Sequence, residues 1–134
     1  MTQDTALALR AYREALGLNQ PEAARMVGVQ QSGWSKWENG LREPRDMLST
    51  MMILHTLMDY RDELFDDMCD YIESLEPEEE AVLRTYATDE AFWADYPNAG
   101  VQQLPAALHR TAAALCAFVM LDEHGIVVSI ENAG

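Results

Sequence analysis

The sequence predicts a mainly α protein in two parts. Residues 1–58 read as an N-terminal five-helix-type domain, and residues 59–134 as a small α(+β) region with two short strands. Three observations carry this. Apolar residues recur at helical spacing through most of the chain. Glycines punctuate the first 58 residues at short intervals, as turns between brief helices require. Charge is divided sharply between the halves. The 134 residues carry a net charge of −14 and are 49% apolar, enough to build a core and to argue against global disorder. Residues 1–58 balance six basic side chains (Arg10, Arg13, Arg25, Lys36, Arg42, Arg45) against six acidic ones (Asp4, Glu14, Glu22, Glu38, Glu43, Asp46). The whole deficit therefore lies in residues 59–134.

Each element has its own signal. Residues 4–16 form a first helix with Asp4 or Thr5 as cap and Leu9, Tyr12 and Leu16 inward; Gly17 stops it. Asn19 opens a second helix, Glu22 completes a capping box, and Pro21 falls in the first turn, where a missing N–H breaks nothing. Ala24 and Val27 face inward and Gly28 ends the helix. A third helix runs from Gln31 to Asn39 and closes at Gly40, followed by a turn at Arg42-Glu43-Pro44. From about Arg45 a long helical pattern places Leu48, Met52, Leu57, Leu64, Met68, Ile72 and Leu75 on one side, with room for a break near Met58–Tyr60. Carboxylates from Asp59 to Glu73 occupy the other side, a solvated face with no metal-binding loop beside it. Pro77 ends the segment.

Beyond Pro77 the pattern gives a strand over 82–87 and a short helix with Phe92 and Trp93, capped by Thr88 or Asp89. Residues 96–100 read as a loop, residues 105–121 as an alanine-rich helix, and residues 126–130 as a second strand. The two strands invite pairing, within the chain or with a second copy. Cys69 and Cys116, distant in sequence and without metal spacing, read as small core hydrophobes in a reducing compartment. The start of the chain lacks a signal-peptide pattern and no apolar run is long enough to span a membrane, so a cytoplasmic location is expected.

Residues 20–40 hold the most specific signal. Two short helices crossing steeply need a small residue in the first, a glycine in the turn four positions later, and a buried apolar residue six after that. Ala24, Gly28 and Trp34 meet this, and Trp37 supplies a further anchor one turn on. The stretch Leu16-Gly17-Leu18-Asn19-Gln20, then Val27-Gly28, then Trp37-Glu38-Asn39-Gly40, resembles the helix-turn-helix DNA-binding domain of the lambdoid phage repressor and Cro family over about residues 5–58. The resemblance implies an ion pair between Arg13 and Glu38 that ties the first helix to the third. The sequence departs from the family at Trp34 in the third helix and at Ala23 in the second; the large indole is expected to fill the volume that the alanine leaves. Gly33 costs helix propensity but allows a close backbone approach to DNA.

More narrowly, Trp34-x-x-Trp37-Glu38-x-Gly40 followed by the long helix, Phe92, Tyr96-Pro97, Leu104 and Ala112-Ala113-Ala114-Leu115 resembles small bacterial and phage regulators, among them the autorepressors of anti-CRISPR operons. This implies a homodimeric repressor joined through its C-terminal region, with RNA binding as a second mode in some members.

In a helix-turn-helix the N-terminal part of the second helix meets base edges in the major groove. That selects Gln31, Ser32 and Lys36, with Gln30 at the groove lip and Ser35 secondary. Gln20, at a helix N-terminus, and Arg42 and Arg45 are expected on phosphates. A head with no net charge needs a dimer on an inverted repeat to bind tightly. Leu108, Leu115, Phe118 and Val119 are candidates for that interface; equally, they belong to one enlarged core. The sequence holds no phosphate loop, nucleophile elbow or Cys/His pair, so neither an enzyme nor a cofactor is expected. The rival reading is an antitoxin or protein-interaction module whose acidic half takes a basic protein partner.

Overall fold

The computed structural model describes residues 3–134. Among them the chain forms α1 (Gln3–Ala15), α2 (Gln20–Val27), α3 (Gln31–Glu38), α4 (Met47–Glu73), β1 (Val82–Thr85), α5 (Asp89–Asp95), α6 (Pro97–Val101), α7 (Ala106–His124) and β2 (Ser129–Asn132). The fold is mainly α. Contacts divide it into two compact units, Met1–Asp59 and Tyr60–Gly134.

In the first unit, α1 starts ahead of its expected cap. Asp4 lies inside the first turn, where its charge suits the helix dipole, and the capping position falls outside the described residues. Leu9 and Leu16 are fully buried. The expected capping box forms at α2: Glu22 N–H donates to Asn19 Oδ1 at 2.8 Å and Asn19 N–H to Glu22 Oε1 at 2.9 Å. Gly28 then adopts φ +79°, and the chain turns into α3.

The expected long helix arrives as α4, so this unit holds α1, α2, α3 and the first part of α4 where a five-helix-type domain is expected. α4 runs without a break at Met58–Tyr60, because no residue there removes a backbone hydrogen bond. It begins at Met47, with Asp46 accepting from the Ser49 N–H at 3.0 Å and hydroxyl at 2.8 Å. Its inward line in this unit is Thr50, Leu54 and Leu57. Leu48 and Met52, expected on that line, are 71% and 61% exposed. Each stands two residues before an inward position, which puts it on the opposite side of the helix.

The second unit is built on Leu64, Met68 and Ile72 of α4, Leu83 of β1, and Ala112, Ala113, Cys116 and Met120 of α7. β1 and β2 pair in parallel, Val82 opposite Ser129 and Thr85 opposite Asn132. The pairing is parallel because the intervening chain is a helical crossover, which a hairpin cannot supply. The second strand lies later than its apolar run suggests. Ile126 and Val128 are instead spent packing against the core, and the ladder begins only at Ser129. The segment expected as a loop at 96–100 contains α6, since Pro97 sits at its first turn, where proline favours a helix. α7 continues past Leu121 to His124, where Gly125 caps it with φ +66°.

Several polar contacts hold this unit. Thr88 caps α5, Asp89 Oδ1 accepts from the Ala106 N–H at 2.8 Å at the start of α7, and Trp93 Nε1–H donates to the Leu104 carbonyl at 2.8 Å. Cys69 and Cys116, remote in sequence, meet as hydrogen-bonded thiols across α4 and α7. Burial, and for Cys116 also its contact with Cys69, raises both thiols, Cys116 to about 12. The carboxylates from Asp59 to Glu73 are all exposed.

His109 is buried in this core, within 5.0 Å of the Tyr86 ring, 5.4 Å of Tyr96 and 5.6 Å of Phe92 by centroid. Burial pushes its pKa down to about 4 from 6.5. Between these values the unfolded chain binds more protons than the native state, so stability rises with pH. About 3 kcal/mol is expected to be present above pH 6.5 and lost as pH falls to about 4. Urea melts of the full chain across that range check this, and His109→Phe should flatten the dependence there.

Candidate nucleic-acid interface

α1, α2 and α3 are locked by one buried polar node. Arg13 Nε donates to Glu38 Oε2 at 2.6 Å and Nη2 to Oε1 at 3.0 Å, while Nη1 reaches the Leu18 carbonyl at 3.0 Å. Trp34 Nε1–H donates to the same Glu38 Oε2, and Gln20 Nε2 approaches Oε1 at 3.4 Å. The Glu38 side chain is only 4% exposed. Burial pushes its carboxyl up, but the hydrogen bonds from Arg13, Trp34 and Gln20 and the Arg13 charge outweigh that, and its pKa falls below 4.5. The pair expected from Arg13 and Glu38 is therefore present, and it is a four-residue network. The Trp34 indole and Gln20 amide are additions that spacing does not announce.

Ala24, Trp34 and Trp37 are buried beneath this node, the two indoles 5.6 Å apart and tilted by 55°. Trp34 and Ala23 are both fully enclosed, so the large indole is accommodated inside the core. Val27, expected inward, is half-buried.

With α3 fixed in this way, its outer side presents Gln31, Ser32 and Lys36 to solvent, and Gln30 is exposed just ahead of it. A groove of about 610 Å³ gathers Gln30, Ser32, Gly33 and Lys36 with Arg42, Arg45 and the start of α4 at Ser49, Thr50 and Ile53. The structure thus brings the outer side of α3 together with three cations, Lys36, Arg42 and Arg45. Glu43 and Asp46 also line the groove. The Asp46 carboxylate is held low by its hydrogen bonds from Ser49. That cap was not foreseen; it fixes where α4 starts and so leaves Arg45 in the preceding loop. An Asp three residues before Ser49 at a helix entry was the available signal.

Two expected positions read differently. Gln20 stands at the start of α2, but its side-chain amide leans onto Glu38, so a phosphate there would be met mainly by the backbone N–H groups of that helix end. Ser35 is half-buried and its Oγ accepts from Asn39 Nδ2 at 3.4 Å, which turns it away from a base-reading role. A Cβ added at Gly33 would meet only the Val29 Cβ, at 4.0 Å. The fold itself therefore does not require glycine there.

In the second unit, Phe118 and Leu121 of α7 are 65% and 55% exposed and Leu115 is 38% exposed, whereas Leu108 is fully buried. Leu108 is thus a core residue of its own chain and is removed from the candidate dimer face. Val119 is half-buried, and Leu121, one turn beyond Phe118, is the more exposed residue beside it.

Residues 6–64 match a family described as a helix-turn-helix domain. No curated protein matches the chain. The fold, the groove and the family match together support a DNA-binding regulator of the helix-turn-helix class. No helix among the described residues is long and apolar enough to cross a membrane.

Two outcomes follow from the node and the groove. Arg13→Met strands Glu38 without its cation and should cost about 3–5 kcal/mol of stability, read by denaturation. Gly33→Ala should raise stability by up to about 1 kcal/mol, since the added methyl meets open space and improves helix propensity.

Proposed function

We propose that the protein is a cytoplasmic, non-enzymatic transcriptional repressor that acts as a homodimer on an inverted repeat and controls its own operon. The observation that carries this reading is the groove that brings Lys36, Arg42 and Arg45 to the exposed side of α3. α3 enters the major groove; Gln31 and Lys36 read base edges, Gln by paired bonds to adenine and Lys by donation to guanine. Arg42 and Arg45 hold the phosphates beside it. The Gly33 backbone lies against the duplex, which accounts for a glycine that the fold does not demand.

The head carries few cations, so one copy binds weakly and a second supplies the missing affinity. The exposed line Leu115, Phe118 and Leu121 on α7 supports a twofold contact. Half-sites would then lie about 10 bp apart or a multiple of that. The acidic second unit repels the duplex elsewhere and suppresses nonspecific binding.

Gel shifts with the DNA upstream of the protein's own gene test this. Arg42→Ala and Arg45→Ala should weaken binding to every sequence and each reduce the salt slope by about 1. Gln31→Ala should relax discrimination at one base pair by about 1–3 kcal/mol. Gly33→Ala should weaken operator binding while leaving the fold at least as stable. Phe118→Glu should yield a monomer by sedimentation with operator affinity lost. Equal loss on operator and random DNA for Gln31→Ala would remove it from the reading set.

A further inference from the structure

The second unit contains a cavity of about 310 Å³, open to solvent and lined by Leu64, Met68, Leu83, Tyr96, His109 and their neighbours on α4 and β1. Its size lies at the low end of small-molecule pockets, about 300–1,000 Å³. It shares no residue with the groove beside α3.

One atom gives the cavity a chemistry. The His109 residue is 3% exposed, and its Nδ1 is 2.7 Å from the Thr85 hydroxyl. That contact accounts for all of the ring's hydrogen bonding among the described residues. Every fully enclosed polar side-chain atom among them has a partner, so Nε2, which has none, is an atom that reaches the cavity. The buried Thr85 hydroxyl has Nδ1 as its one side-chain partner. A buried hydroxyl left without an acceptor costs more than an idle lone pair, so Thr85 donates to Nδ1. The proton of the neutral ring then sits on Nε2, a donor with no protein acceptor among the described residues, at the wall of a cavity whose apolar part is Leu64, Met68, Val82 and Leu83.

The surrounding charge selects the ligand. Asp67 lines the cavity, and Asp95 stands close by, where it accepts from the Tyr86 hydroxyl at 2.8 Å. The lining cation, Arg84, is engaged with Glu131 at 3.7 Å. An anion entering here meets a carboxylate and loses hydration. A neutral oxygen acceptor meets a waiting N–H. We propose that this cavity binds a small, uncharged apolar molecule through a carbonyl oxygen (amide, ester or ketone) that accepts a hydrogen bond from His109 Nε2–H. The ligand's apolar body lies against Leu64, Met68 and Leu83.

Phenylacetamide, with phenylacetate as its charged counterpart, tests this on the full chain by NMR of the His109 ring. The amide should produce a saturable shift, and phenylacetate should bind at least about tenfold more weakly. His109→Phe, which keeps an aromatic volume and removes the donor, should lose about tenfold in amide affinity. His109→Gln, whose amide N–H can take the place of Nε2–H, should restore most of it. Asp67→Asn, at an exposed position that does not endanger the fold, should strengthen phenylacetate and leave phenylacetamide unchanged. Absence of a saturable His109 shift with phenylacetamide, equal binding by His109→Phe, or phenylacetate binding as well as the amide would each overturn the proposal. None of these measurements involves DNA, so their outcome is separate from that of the repressor reading.

Discussion

The geometry of the first unit depends on a carboxylate that is almost entirely out of water. Glu38 closes α3, and within its reach are the Arg13 fork from α1, the Trp34 indole from its own helix and the Gln20 amide from α2. A charge so placed is tolerable only when every lone pair has a donor. Three helices must therefore arrive in one arrangement, because any slip leaves an ion unpaired in a low-dielectric interior. Apolar burial around Trp34 and Trp37 supplies cohesion, but it is not directional. The node supplies direction, and direction is what a recognition helix needs if its outer side chains are to meet a duplex in one register.

Local rules made the first unit legible. The Asn19–Glu22 box, Pro21 in a first turn, and Gly28 at a left-handed cap are contacts over a few residues, and each stands where its spacing puts it. The ion pair was legible only through family resemblance, since 25 residues separate its partners and no periodicity links them. Long-range outcomes were harder. Leu48 and Met52 look like core residues on any helical tally, but the inward phase of α4 is set by Thr50, Leu54 and Leu57, and only packing reveals that phase. The apolar run at 126–130 signalled burial correctly and hydrogen bonding wrongly, because Ile126 and Val128 serve the core while the exposed Ser129–Asn132 stretch makes the ladder. Leu108 could not be separated from Leu115 and Phe118 for the same reason: all are apolar on one helix, and burial within the chain decides which of them is available to a partner.

Net charge has a different meaning in each unit. In the first, cations are few but placed: Lys36, Arg42 and Arg45 share one groove with the exposed side of α3. Placement makes affinity depend on register, whereas an evenly basic surface would bind any polyanion. In the second, the carboxylates of α4 from Asp59 to Glu73 all face solvent. Their mutual repulsion is softened by water and by salt.

The two buried polar sites obey one rule with opposite results. At Glu38 the interior holds a charge because four donors converge on it. At His109 a neutral ring is held because burial removes the alternative, and a single hydroxyl orients it. The first site is saturated and can only support structure. The second is oriented but not saturated, since fixing the tautomer with Thr85 leaves the opposite ring N–H without an acceptor. Leucine or phenylalanine at that position, as at Leu108 and Phe92, would leave only the Thr85 hydroxyl without its acceptor. An oriented donor at the wall of an open cavity is completed from outside the chain, by water or by a ligand whose oxygen replaces that water, and that openness distinguishes His109 from the closed network at Glu38.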